Sequence, residues 1–205
     1  MDFDGADDLL DAGSGASLDN NHTLTYSAWI KPDTLGGANA GFVMAKDSGF
    51  KKRFLLNASN QFAMRVVRDT TSASAQGATD TITLGSWQYM VVTYNETDGI
   101  KIYKNGTEIA YTSNDIGTGA TTDDATDNFV IGAFSAASQQ FDGSIDEVRV
   151  SSINRSSDWR NTEYNNQNSP STFYTLGSEI SYGVLLPHAP SSITHIARKD
   201  NIVGY

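Results

Sequence analysis

Short runs of β-forming residues, separated by turn-forming clusters, recur from residue 24 to residue 150, and this rhythm constrains the fold more than any other feature. Leu24 to Lys31 alternates, with Leu24, Tyr26, Ala28 and Ile30 on one face, and Pro32-Asp33 ends the run. The pattern predicts a strand with one core side. Residues 41–46, 54–57 and 61–67 read as further strands, the last two joined as a tight hairpin across Asn57-Ala58-Ser59-Asn60. Trp87 to Tyr94 is the densest β-forming run and is apolar on both faces, which suits a central strand. Residues 100–104 and 107–111 flank Asn105-Gly106. A type I′ turn needs positive φ at both central residues, so this dipeptide is a strong hairpin signal. Residues 129–132 and 144–150 supply two more strands, after a polar stretch, 114–128, that reads as a loop. One short C-terminal helix is predicted: Ser156 or Ser157 caps it, Asp158 sits where the helix dipole favours an anion, and Trp159 to Asn165 continue it. About nine or ten strands with turn chemistry between them imply an all-β, two-sheet antiparallel sandwich.

Residues 1–175 are assigned to that sandwich. Beyond Ser169-Pro170 the pattern weakens, yet Gly183-Val184-Leu185-Leu186 and Ile202-Val203 are too apolar for a solvated tail. Residues 176–205 are therefore expected to be an extension or docking arm that meets neighbouring subunits.

Composition removes several function classes. There is no cysteine, hence no disulfide framework, thiolate metal site or cysteine nucleophile. The net charge of −10 repels a phosphate backbone, so no nucleic-acid partner is expected. The basic stretch Lys51-Lys52-Arg53 reads as a solvated loop or strand end. No run approaches the roughly 18 apolar residues of a membrane span, so no membrane insertion is expected. Met1-Asp2-Phe3-Asp4 has neither a basic n-region nor an apolar h-region. The expectation is a segment of a longer secreted chain, or a protein that leaves the cell by another route, such as in a virion. His22, His188 and His195 have no cysteine partner, and no Gly-x-Ser-x-Gly elbow accompanies them. They read as polar loop residues. Five Asn-x-Ser/Thr sequons, at Asn21, Asn57, Asn95, Asn105 and Asn154, coincide partly with turns, and abundant Asn, Thr and Ser without cysteine fits a microbial surface or viral protein.

Five landmarks occur in order: Phe3-Asp4-Gly5-Ala6-Asp7-Asp8; Thr25 to Pro32 with its central Ala28-Trp29-Ile30; Gly85-Ser86-Trp87; Ile102-Tyr103-Lys104-Asn105-Gly106; and Phe141 to Val150. In this arrangement the chain resembles laminin G-like domains of the concanavalin A-like superfamily. Trp159 to Tyr164, followed by Asn165-Asn166-Gln167, is similar to the C-terminal end of bacterial and archaeal members. The resemblance implies a jelly-roll sandwich of two curved antiparallel sheets with one concave face. It does not fix a ligand, because one fold hosts many functions.

The same superfamily contains glycoside hydrolases, which when retaining carry two carboxylates about 5 Å apart on one strand face. Here Asp142 and Asp146 are an even number apart, but Gly143-Ser144 intervenes and Glu147 points to the opposite side. No catalytic residue is assigned. Calcium takes six to eight oxygens, and Asp in glycine-flanked loops supplies them. The resemblance places a structural calcium beside Asp146, at the head of the last core strand, with backbone near Asp4 and Gly5 as its partner. Asp7, Asp8, Asp123, Asp124 and Asp127 read as solvated acidic loops. Trp29 and Trp87 stand at landmark positions inside strands and read as core packing rather than sugar platforms. Recognition is expected in loops held by the scaffold: residues 134–141, with Phe134, Gln139, Gln140 and Phe141, and residues 114–127, with Asn128 just after them in sequence.

The leading expectation is a non-catalytic recognition or adhesion module, extracellular and displayed on a cell or virion surface, that holds a glycan or protein ligand in its loops and carries a structural calcium. The second is a virion or appendage component docking through residues 176–205, and the third a glycoside hydrolase with a degenerate motif.

Overall fold

The computed structural model describes residues 1–36, 40–46, 51–134, 139–173 and 177. The alternation read in the first long run becomes burial there. Leu24, Tyr26, Ala28 and Ile30 are all fully buried, each turned toward the space between two sheets. Thirteen strands are found among the described residues: β1 (Asp2–Asp4), β2 (Leu10–Asp11), β3 (Leu24–Pro32), β4 (Ala40–Lys46), β5 (Lys52–Asn57), β6 (Gln61–Val66), β7 (Ala73–Gly77), β8 (Gln88–Asn95), β9 (Gly99–Lys104), β10 (Thr107–Glu108), β11 (Tyr111–Asp115), β12 (Phe129–Ile131) and β13 (Asp142–Ser151). Helix α1 spans Ser157–Asn168, and a single turn, α2, spans Pro170–Phe173.

Six strands form one sheet in the order β1-β13-β3-β8-β9-β10, and seven form the other in the order β11-β7-β6-β5-β4-β12-β2. Every pairing is antiparallel. This is the jelly-roll sandwich the sequence implied. Its core is one cluster drawn from the inner faces of both sheets, including Tyr26, Ile30, Phe54, Phe62, Val92, Ile102 and Phe141. β8 is buried along nearly its whole length, as a strand apolar on both faces should be. Asn105 and Gly106 both adopt positive φ (51° and 83°), as the hairpin signal required.

Gly143 marks the crossing of three strands, opposite Phe3 of β1 and Pro32 of β3. At its φ of 128° a Cβ would lie 2.2 Å from the Lys31 carbonyl oxygen, so only glycine allows β13 to run this close to its neighbour.

Some expectations change. Residues 107–111 divide between β10 and the start of β11. Asn114 and Asp115, read as loop, belong to β11, and Arg68–Thr121 and Thr71–Thr118 bridges stitch the following segment to the sheet end. Helix α1 is capped by Ser156, whose side chain accepts from the Trp159 N–H, and it runs three residues past the predicted end. A compact unit extends from Met1 to Phe173. The docking-arm expectation for residues 176–205 falls outside the described residues, Gly177 excepted. Among the described residues no helix is long and apolar enough to cross a membrane.

Candidate functional site

Helix α1 lies on the outer face of the six-stranded sheet, and the way it is held shapes a cleft. Apart from Trp159 and Tyr164 the helix is polar, so it lacks the apolar stripe by which a surface helix is usually held. Specific contacts replace it. The Tyr164 ring stacks on Trp29 (5.9 Å between centroids) and faces Tyr89 (6.3 Å), while the Arg160 guanidinium sits 3.9 Å from the Tyr103 ring centroid. Trp29 Nε1 donates to Gln167 Oε1. Arg149 of β13 donates to Glu163 of the helix and, at 2.6 Å, to Glu147.

The cover stops short of the sheet's end. In β8 the outer-facing residues are Tyr89 and Val91, both buried. The period of two puts Trp87, just before the strand, on that same face, beyond the helix. Trp87 is 46% exposed. It lines a cleft of about 530 Å³ together with Trp29, Asp146, Glu147, Gln167 and Pro170. Asn166 and Asn168 complete the wall. Asp146 stands opposite Trp29 in the β13–β3 register, and a bulge follows, with Glu147 in the left-handed region at φ 52°. The bulge keeps both neighbouring carboxylates exposed at the cleft, where strict alternation would have sent Glu147 inward. Asp146 Oδ1 accepts the Glu147 N–H (2.8 Å), and Glu147 Oε2 accepts from Arg149 and, at 3.4 Å, from Gln167.

The cleft therefore offers an aromatic face, two carboxylates and several amides. Sequence reading put Trp87 inside a strand core; the structure corrects this, because β8 begins at Gln88 and the indole lies at the strand's open entrance. The counting rule that aligns Trp87 with Tyr89 and Val91 was the available signal. Asn166, Gln167 and Asn168 carried no signal as binding residues, since their place depends on where the helix docks.

The expected calcium set does not assemble. Asp4 pairs with Asp142, and Gly5 lies against that residue, a Cβ there falling 2.9 Å from Asp142 Cβ. Asp146 is four residues farther along β13, roughly 13 Å at the rise of an extended strand. Asp4 is grouped instead with Asp7 and Asp8, whose ligand atoms all lie within 4.8 Å of one another.

The described ends of the expected recognition loop are turned toward the protein. Phe141 is fully buried and meets Phe3 edge-on (6.3 Å), because its N–H pairs with the Gly132 carbonyl as the chain enters β13. It cannot reach a ligand. Gln140 is buried as well. Phe134 packs on Phe42 (5.6 Å), the Gln139 carbonyl accepts the Phe42 N–H, and the Asn128 amide donates to Asp11 (2.7 Å). Residues 135–138, between them, lie outside the described residues. His22 contacts Glu96 through Nδ1 (3.0 Å), and His188 and His195 lie outside the described residues.

Two more readings need correction. Lys52 and Asp124, taken as solvated, are buried and paired with each other, and Asp127 is buried too. The outer face of the seven-stranded sheet carries a smaller groove of about 300 Å³, lined by Arg53, Arg65, Asn57 and Gln76 among others, with no carboxylate among the described residues that line it.

A laminin G family model, described as concanavalin A-like lectin/glucanases superfamily, matches residues 4–159. No curated protein sequence matches the chain. Among solved structures, a candidate carbohydrate-binding protein from Bacteroides ovatus is similar at 16% identity and a TM-score of 0.54, over 75% of this chain and 43% of that one. The binding domain of botulinum neurotoxin serotype G is similar at 10% identity and a TM-score of 0.60, over 78% and 41%. The serotype D ligand-binding domain, solved with N-acetylneuraminic acid, is similar at 14% identity and a TM-score of 0.58, over 78% and 40%. The chain spans less than half the length of these solved chains, and at such identities the likeness is one of fold.

Proposed function

The chain belongs to the concanavalin A-like lectin/glucanases superfamily, and from that premise we propose that it is a non-catalytic recognition module that binds a glycan in the cleft beside Trp87. The observation that carries this reading is the indole of Trp87, nearly half exposed on a rigid strand entrance and flanked by Asp146, Glu147 and the helix-end amides. A pyranose ring presents an apolar C–H face that stacks on such an aromatic surface, and equatorial hydroxyls that carboxylates and amides bind from the side. A few convergent polar groups around an apolar platform are the usual make-up of a small-ligand site. Such a module acts outside the cell, at a cell or virion surface, and a protein ligand bearing the glycan serves equally as partner.

Hydrolysis is the weaker reading. Asp146 and Glu147 share the cleft, but Asp146 accepts a backbone N–H and Glu147 is tied to Arg149 and Gln167, so both carboxylates already hold structural contacts. The calcium implied by the family resemblance forms part of the same proposal, at Asp4, Asp7 and Asp8 rather than at Asp146, because hard carboxylate oxygens gathered this closely suit that ion.

The test is a glycan panel screened with and without chelator, followed by titration of any hit against Trp87→Ala. Binding is expected to fall at least tenfold in the variant while its melting temperature stays at the wild-type value, since about 1.4 kcal/mol of stacking corresponds to that factor. A hit that binds Trp87→Ala as tightly as wild type would remove the cleft from the reading. Binding that survives chelation unchanged would remove the calcium from the recognition step.

A further inference from the structure

The interior near the start of β5 holds a group of charges that the proposed cleft does not use. Lys46 and Lys52 are buried there with Asp124 and Asp127, and Asp19 stands at the edge. The two lysines are treated differently. Lys46 Nζ has an acceptor for each of its three N–H groups: Asp19 Oδ1 at 2.6 Å, the Asp127 carbonyl at 2.9 Å and the Asp124 carbonyl at 3.4 Å. Lys52 Nζ has one acceptor among the described residues, Asp124 Oδ2. A buried ammonium with two N–H groups unmatched is a costly arrangement.

Asp124 is held as firmly as an electrophile could be. Its Oδ1 accepts the Asn20 N–H at 2.6 Å, its own N–H donates to Asn20 Oδ1 at 3.0 Å, and its carbonyl accepts the Asp127 N–H at 3.0 Å. The Tyr26 hydroxyl, near enough to feel the Asp124 charge, is buried without a partner among the described residues, as is Asp127 Oδ2. Burial pushes the Tyr26 hydroxyl pKa up, and the nearby Asp124 charge adds to the shift. Burial likewise moves the Lys52 amine below its ordinary range, against the opposing pull of Asp124.

We propose that Lys52 and Asp124 are a modification site, at which Nζ and Cγ become joined by an amide bond once the sandwich has folded. The ammonium first passes a proton to Oδ2, turning the ion pair into a neutral amine and a neutral acid, a change that a dry interior favours. Nζ then attacks Cγ, and the charge that develops on Oδ1 is met by the Asn20 N–H already pointing at it. The Cγ–Oδ2 bond breaks, and Oδ2 leaves as water with the proton it had received and one more that passes to it from the attacking nitrogen, with which it is already in contact. No oxidant, reductant or second substrate is needed. Fixed contact between amine and acid supplies the effective concentration that such a condensation lacks in water. The product is a covalent tie between β5 and the segment before β12 in a chain that has no cysteine for a disulfide.

Intact-mass spectrometry of the purified chain decides the matter. The wild-type mass is expected to be lower than the sequence mass by one water molecule, and proteolysis should yield a joined peptide containing Lys52 and Asp124. Asp124→Ala and Lys52→Arg should each show their full sequence mass, folded or not. A wild-type protein at its full sequence mass overturns the proposal. So does a water loss that maps to another site, such as a succinimide at Asp142-Gly143.

Discussion

A methyl group at position 132 would have nowhere to go. Gly132 follows β12 with φ 86°, and a Cβ there would lie 1.9 Å from Phe3 Cε1, inside the ring that packs edge-on against Phe141. Gly132→Ala is expected to destabilise the protein by about 2 kcal/mol or more, from the positive φ and the overpacking together. Urea denaturation measures this directly, and adding Phe3→Leu should recover part of the loss if the clash, rather than the backbone angle, dominates. Trp87 makes the opposite case at the same scale, a large apolar residue whose removal costs little stability because it is already half in water. Residue type alone did not separate the two. Phe141 read as a binding residue and is core, while Trp87 read as core and is exposed; both stand one residue before a strand, and what decides each is its face, Phe141 turning in between the sheets and Trp87 outward into the cleft.

Strands rich in β-branched and aromatic residues were legible in the sequence, and strands poor in them were missed. β3, β5, β6, β8 and β9 announce themselves by alternation or by dense β-formers. β7, reading Ala-Ser-Ala-Gln-Gly, and β11, reading Tyr-Thr-Ser-Asn-Asp, contain few β-branched or large apolar residues. They are strands because β6 and then β7 offer them a free edge. Helix α1 was found through its cap, which is also where it is most vulnerable. A helix without an apolar stripe depends on its ends and on a few stacked contacts, so Ser156→Ala should cost about 1 kcal/mol, the usual price of losing an N-cap acceptor. Because Asn166, Gln167 and Asn168 reach the cleft only when the helix is docked, the same variant should weaken glycan binding although it touches no ligand. Unchanged affinity would mean that the helix end is not part of the site.

Over the whole molecule, long-range pairs carry what local pattern does not display. Lys52 read as solvated because its neighbours in sequence are charged, and its partner Asp124 stands 72 residues away. Glu96 is another such junction. Its Oε1 accepts the Thr121 N–H at 2.7 Å and contacts His22 Nδ1 at 3.0 Å, and its carbonyl accepts from Arg68, so one residue ties the end of β8 to three separate segments. The Thr121 N–H, with His22 beside it, holds the Glu96 carboxyl well below the ordinary value, at about 2. A carboxyl with a depressed pKa in the folded state takes up its proton first in the unfolded chain as acid is added. Its contribution is therefore fully present above the ordinary carboxylate value, shrinks as pH falls below it, and is gone once pH has dropped through about 2. Glu96→Gln keeps an oxygen for the Thr121 N–H and removes only the charge. At neutral pH the variant should be less stable than wild type, by a margin kept small because the side chain is about a third exposed. That margin should narrow steadily as denaturation is repeated from pH 5 downward. A difference that stays constant across the acid range would show that the charge of Glu96 does not stabilise this end of the sandwich.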